Sequence, residues 1–172
     1  MATALRRCGY TGNDIIYTPI ELAKAHIATI PYIEGEVWLD PWSGAKVYYD
    51  NYPVDCLKDY CEITEGKDFL QYQGKVDVIC SNPPYSQLNA MLMKCISLSP
   101  RVISVLVGFH HLSPRRLELM ESKGYYLSNQ TVVKVKQWFC WSAIATFTKT
   151  EPGVLHYITT NFDTGARRCK AR

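Results

Sequence analysis

Apolar residues in this chain fall into short runs and helical stripes that alternate. KVDVIC (75–80) and RVISVLVGF (101–109) are apolar almost throughout, the pattern of strands buried on both faces. EVWLD (36–40) and CLKDYCEI (56–63) read as two shorter strands, and KDFL after Gly66 as a weak third strand or its end. YYLSNQTVVKVKQ and CWSAIATFTK give two more, and GVLHYITTNF (153–162) an extra edge strand. Between them lie helical patterns. Thr18 and Pro19 read as an N-cap and a first helical position, opening an amphipathic helix to about Ile30. SQLNAMLMKCISLS (86–99) has apolar residues at 88, 91, 92, 95 and 96, one face of a helix. Ser113-Pro114 opens a third helix that Gly124 closes. PWSGAKVYYDNYP (41–53) reads as a loop with room for one helical turn.

Strands alternating with helices predict an α/β domain with a parallel sheet covered by helices. In such sheets ligands bind at the carboxyl ends of the strands. The residues predicted there are Asp40, Glu62, Asp68, Asn82 and His110.

Composition narrows the class. The 172 residues suit a single domain, and 47% hydrophobic with 20% charged residues is a globular balance. There is no run of about 18 apolar residues, and the N-terminal stretch lacks a signal peptide's apolar core. The expectation is a cytoplasmic protein with no membrane partner, of bacterial, phage or other viral origin. Seven scattered cysteines without a CxxC pair predict neither a disulfide framework nor a metal site. The formal charge is only +3, but ARRCKAR (166–172) concentrates four positive charges. Its Arg167 and Arg168 are candidate contacts to a nucleic-acid backbone. So are Arg115 and Arg116, which begin a helix where the macrodipole disfavours positive charge and an anion would offset it.

The most specific chemistry lies in SNPPYSQ (81–87), directly after an apolar strand. Two prolines fix two φ angles and remove two backbone donors. An exocyclic amine of adenine is a poor nucleophile because its lone pair is delocalised into the ring. The Asn82 side-chain oxygen and the Pro83 carbonyl can together accept both of its hydrogens and move the nitrogen toward tetrahedral geometry. No strong base is needed, since the proton becomes acidic only as the new bond forms. Pro83 and Pro84 hold the acceptors still. Tyr85 offers a face on which a base stacks, worth about 1–3 kcal/mol. Upstream, LDPWSG (39–44) joins an acid to a glycine turn, Glu62 ends a strand where carboxylates commonly hold ribose hydroxyls, and Asp68 adjoins an aromatic, Phe69, able to pack on a purine. Alone each is an ordinary turn or surface acid; their order and spacing carry the signal.

Over roughly residues 14 to 149 the chain resembles the amino-type DNA methyltransferases that use S-adenosylmethionine, in particular the N6-adenine enzymes with an NPPY loop. The resemblance implies a Rossmann-like methyltransferase fold: a mostly parallel seven-stranded sheet with an antiparallel last strand and helices on both faces. It implies S-adenosylmethionine as cofactor, with Tyr17, Thr18 and Pro19 at its methionine part. Asp40 and Gly44 belong to its first motif, Glu62 is placed at the ribose, and Asp68 and Phe69 at the adenine. It makes Asn82, Pro83, Pro84 and Tyr85 the catalytic loop and sets Trp138 or Phe139 beside Tyr85 against a flipped base. The substrate implied is nucleic acid, with DNA favoured.

Two departures stand out. The family's first motif continues Gly-x-Gly, but Gly44 is followed by Ala45 and Lys46, and no clear helix is predicted between there and Glu62. There is also no separate target-recognition domain within residues 1–172. Specificity would then come from short loops such as HHLSPRR (110–116), from the basic tail, or from a partner subunit or second copy. RNA adenine and protein glutamine stay open as substrates, as does a catalytically weak methyltransferase-like binding subunit.

Overall fold

The computed structural model describes residues 17–136, 138, 140–150 and the backbone of 157–162. In chain order the elements are α1 (Ile20–Ile27), β1 (Val37–Asp40), α2 (Val47–Asn51), β2 (Leu57–Tyr60), β3 (Val78–Ser81), α3 (Leu88–Ser97), β4 (Val102–Gly108), α4 (Pro114–Glu121), β5 (Tyr126–Val135), β6 (Ser142–Thr148) and β7 (Tyr157–Phe162). The sheet order is β2-β1-β3-β4-β6-β5-β7. β2, β1, β3 and β4 are parallel. β6 runs antiparallel to both neighbours, while β7, last in the chain, lies at the edge parallel to β5. The reversed strand is thus the sixth along the chain.

Successive strand residues point to opposite faces, and two clusters follow that alternation. Leu39, Ile79 and Ile103 pack with Leu88, Leu92 and Cys95 of α3 and Met120 of α4. Their neighbours Trp38, Val78 and Val102 pack with Ala23 and Ile27 of α1 and Tyr48 of α2. Truncating Trp38 or Leu92 to alanine would cost about 3–5 or 2–5 kcal/mol respectively. At the amino ends of the strands, the Arg101 guanidinium grips Glu36 through Nε and Nη2 at 2.5 and 2.8 Å, and Nη2 also donates to the Pro31 carbonyl at 2.9 Å.

Three sequence expectations change. Residues 66–69 form no strand: Asp68 Oδ1 accepts from Leu70 N at 2.9 Å and folds 69–71 into a 3-10 turn. A short helix, α2, does follow the first motif. Thr18 does not cap α1; Pro19 occupies the cap itself with extended ψ 140°, and the first helical bond runs from Ala23 N to Pro19 O. Proline serves there because the cap needs no amide donor, and the Thr18 side chain turns to Asn82 instead. α4 forms as the sequence predicts. Ser113 is at its cap, Pro114 at its first position, and Gly124 beyond its end at φ +77°.

The five cysteines of the described residues are free thiols. No helix among the described residues is long and apolar enough to cross a membrane.

Candidate active site

The carboxyl ends of β1, β2 and β3 open on one cavity of about 370 Å³, within the range of about 300–1,000 Å³ usual for small-molecule sites. β1 has β2 on one side and β3 on the other, so the crevice is the switch point at which open α/β sheets bind ligands. Tyr17, Thr18, Gly44, Glu62, Asp68, Phe69, Asn82 and Pro84 all line it. Pro19, Asp40, Pro83 and Tyr85 stand behind or beside it.

Glu62 closes the loop after β1 onto the loop after β2. Its Oε2 accepts from Gly44 N at 2.8 Å, and its Oε1 from Thr64 N and Oγ1 at 3.1 and 2.7 Å. Partial burial alone would raise its pKa, but these three donors outweigh it and hold the carboxyl below its ordinary range. The wall is aromatic. Phe69 is buried, its ring edge-on to Trp42 with centroids 5.3 Å apart. Trp42 in turn donates Nε1–H to Met91 Sδ at 3.2 Å.

Asp40 sits beneath this surface. It is fully buried and accepts from Ser81 Oγ at 2.5 Å and Tyr49 N at 3.2 Å. Burial lifts its pKa to about 6 despite those bonds. Asp40 therefore shapes the loop between β1 and α2 and ties it to the end of β3. Asp40, expected from the sequence at the cofactor, is not among the residues that line the cavity.

Lys46 stands where a second glycine was expected, and its backbone adopts what a glycine would supply, φ 60° and ψ 22°. L-residues occupy that region at a cost. Tertiary contacts hold Lys46 there: Nζ meets Glu65 Oε1 at 2.9 Å and lies 4.2 Å from the Tyr60 ring centroid, with Lys67 at 3.7 Å from the same ring.

Asn82 extends from the end of β3 and donates Nδ2–H to Thr18 Oγ1 at 3.3 Å, joining the segment before α1 to the NPPY loop. Pro83 is buried and Tyr85, half-buried, begins the 3-10 turn 85–87. The Tyr85 ring packs against His111 at 4.9 Å, and His111 against His110 at 4.1 Å. His111, rather than His110, is the histidine beside the loop. Arg115 is exposed, whereas Arg116 is half-buried, with Nε on Asn89 Oδ1 at 2.8 Å and Nη1 on the His111 carbonyl. Trp138 packs on the cluster of Leu22, Leu106, Val133, Val135 and Ile144. Phe139, Arg167 and Arg168 lie outside the described residues.

Sequence reasoning missed Trp42, Tyr48, Met91 and His111. Trp42 had a signal, as a large aromatic in the loop directly after a strand. The others are brought to the site by tertiary packing alone. The donor set fits a nucleoside-type cofactor: an ionised carboxylate at a loop edge, an aromatic wall, a second acid at Asp68. Among the described residues no group of three His, Cys, Asp or Glu side chains is placed to hold a metal ion.

No protein-family model matches the chain, and no curated protein matches it by sequence. Solved structures match by fold. One is a Pyrococcus horikoshii protein assigned as an RNA methyltransferase, at 17% identity and TM-score 0.57, covering 77% of this chain and 86% of that one. Another is the modification subunit of a type I restriction enzyme assigned in Vibrio vulnificus, at 15% and 0.60, covering 97% of this chain and 52% of that one. A third is TrmN from Thermus thermophilus, at 16% and 0.55, covering 85% and 52%. What these identities establish is architecture: the chain has a Rossmann-like methyltransferase fold.

Proposed function

We propose that this protein is an S-adenosylmethionine-dependent methyltransferase that acts on adenine N6 in DNA, on a flipped or single-stranded base. The observation that carries the reading is that Asn82 and Pro84 of the NPPY loop line the same cavity as Glu62, Asp68 and Phe69. A nucleoside pocket and an amine-accepting loop thus share one space. Bound there, the cofactor supplies an electrophilic methyl group on a sulfonium. Glu62 would hold ribose hydroxyls, and Phe69 and Trp42 would flank the adenine. Tyr17 and Thr18 would meet the methionine end.

The chain's own part in the reaction is to prepare the amine. The Asn82 oxygen and Pro83 carbonyl accept its two hydrogens, and the prolines keep both acceptors in place, so little reorganisation accompanies the reaction. The target base has to leave its stack to reach them. Support for a nucleic-acid substrate comes from the surface beside Tyr85. His111, exposed His110 and Phe109, and Arg115 combine stacking faces with positive charge, the makeup of single-strand binding surfaces. The Thr-Pro segment and the Asp-Pro of the first motif favour DNA. The left-handed backbone of Lys46 weakens the case for a degenerate site, because Lys46 takes up the conformation the missing glycine would supply.

Labelled S-adenosylmethionine offered to DNA, RNA and protein pools tests this, with transfer expected to DNA adenine. Asn82→Ala should lose turnover by about a hundredfold or more while keeping calorimetric cofactor affinity. Labelling of protein alone would refute the adenine reading, and a folded protein that binds no cofactor would refute the enzyme.

A further inference from the structure

The carboxyl edge of the sheet continues past the cavity, and its surface there is aromatic and basic. Gly108 of β4 pairs with Ser142 of β6, and Ser142 with Val133 of β5. Phe109, Trp141 and Lys134 are the next residues outward from that row, so three adjacent strands bring them to one edge. Phe109 N donates to the Trp141 carbonyl at 2.9 Å, and Lys134 Nζ lies 5.3 Å from the Trp141 ring centroid. Phe109 also opens a 3-10 turn that ends at His111. Through His110 and His111 that turn reaches Tyr85 of the NPPY loop, with ring centroids 4.1 and 4.9 Å apart. Gly108 permits the arrangement: a Cβ there would come within 2.9 Å of His110 Cε1 and 3.2 Å of His111 Cδ2.

Two features of this edge point to a partner. Phe109 and Trp141 are 45% and 46% exposed, although Gly108 and Ser142 beside them are buried. Aromatic surface left in water among polar groups marks an interaction site. The charge is also one-sided. None of the chain's 16 acidic residues lies in 102–116 or 126–148, the segments that build this edge, while Arg115, Arg116, Lys134 and Lys136 do. That is the complement of a polyanion.

We propose that the single-stranded DNA adjoining the target adenine lies along this edge, its bases on Phe109 and Trp141 and its phosphates toward Lys134 and Arg115. The inference rests on the reading of the protein as a DNA adenine methyltransferase. Adjacent strands lie about 4.8 Å apart, so β4, β6 and β5 carry the surface about 14 Å beyond β3. Aromatic faces accept any base and cations any phosphate, so the edge holds a strand with little regard to its sequence. A duplex cannot use the rings, because its bases are already stacked on one another.

Fluorescence anisotropy with a labelled oligothymidylate tests this. The probe contains no adenine, so its binding reads the edge and not the reaction. Phe109→Ala and Trp141→Ala should each weaken it about tenfold, the loss of one stacked base. Lys134→Gln should lower the slope of log affinity against log salt by about 0.7; being at an exposed position, it serves as the second variant if an aromatic one fails to fold. Lys75→Gln removes a charge from the opposite edge, before β3, and should leave affinity unchanged. Wild-type affinity and salt slope in the edge variants would overturn the inference, as would tighter binding of a duplex or of oligouridine. A dimer that Trp141→Ala dissociates would assign the edge to a second copy and overturn it too. Methyl transfer to DNA adenine with oligothymidylate binding insensitive to these residues would sink the path and leave the function standing. Absence of transfer, with binding lost in the edge variants, would sink the function and leave the path.

Discussion

Replacing Asp40 with asparagine should remove one slope from the pH dependence of stability. The wild-type carboxyl is fully buried, and burial raises its pKa from 3.8 to about 6, against the hydrogen bonds from Ser81 and the Tyr49 amide. An acid whose folded pKa exceeds its unfolded one binds more protons in the native state between the two values. Its contribution therefore falls as pH rises from about 4 to about 6 and stays reduced above. The gap between 3.8 and about 6, at about 1.4 kcal/mol per pH unit, amounts to about 3 kcal/mol. Asparagine fits the same partners. Its oxygen can accept from Tyr49 N, and its NH2 can donate to Ser81 Oγ, which as a hydroxyl can accept. Glu62 and Glu65, whose pKa values are held down, act in the opposite sense: their contribution is present above about 4.5 and lost as pH falls. The wild-type curve mixes both slopes, but the difference between D40N and wild type isolates Asp40. Urea unfolding of both proteins at pH 4 and pH 7.5 should show D40N gaining about 2 kcal/mol of that relative to wild type between the two. A difference independent of pH would show that the Asp40 charge is tolerated in the fold, and the reasoning would fail.

Three further outcomes follow from the geometry. Lys46→Gly should melt about 2 °C above Lys46→Ala, because both lose the side-chain contacts and only glycine relieves the left-handed backbone; alanine melting higher would show that position 46 is unstrained. Arg101→Ala should lower stability by about 2 kcal/mol, since it leaves the nearly buried Glu36 without its bidentate partner, the figure being discounted for the partly exposed guanidinium; an unchanged urea midpoint would contradict this. Glu62→Gln should weaken cofactor binding about tenfold by calorimetry, because an NH2 would then face one of the donors Gly44 N or Thr64; unaltered affinity would remove Glu62 from the cofactor site.

The parts of this molecule that can be read from its sequence are those decided locally. Val78-Ile79-Cys80 and the seven residues of β4 announce themselves because an apolar run buried on both faces needs nothing else to become a central strand. Polar groups at strand ends are legible because the carboxyl edge of a parallel sheet is where chains leave the core, so Glu62 and Asn82 reach the cavity by topology alone. What escaped is decided by partners distant in the chain. Thr18 looks like a helix cap, yet Asn82, 64 residues on, engages its hydroxyl. Lys46 looks like a broken motif, and the repair lies in Glu65 and Tyr60 on the neighbouring loop. At Thr18 and at Lys46 the polar side chain is engaged by a partner far along the chain, which a reading of neighbouring residues does not contain. A motif read along the chain therefore lists groups that line the cavity, here Glu62, Asp68 and Asn82. His26 and Ser104 fall among apolar neighbours where a pattern reading counts them as core, and they find each other only in the fold.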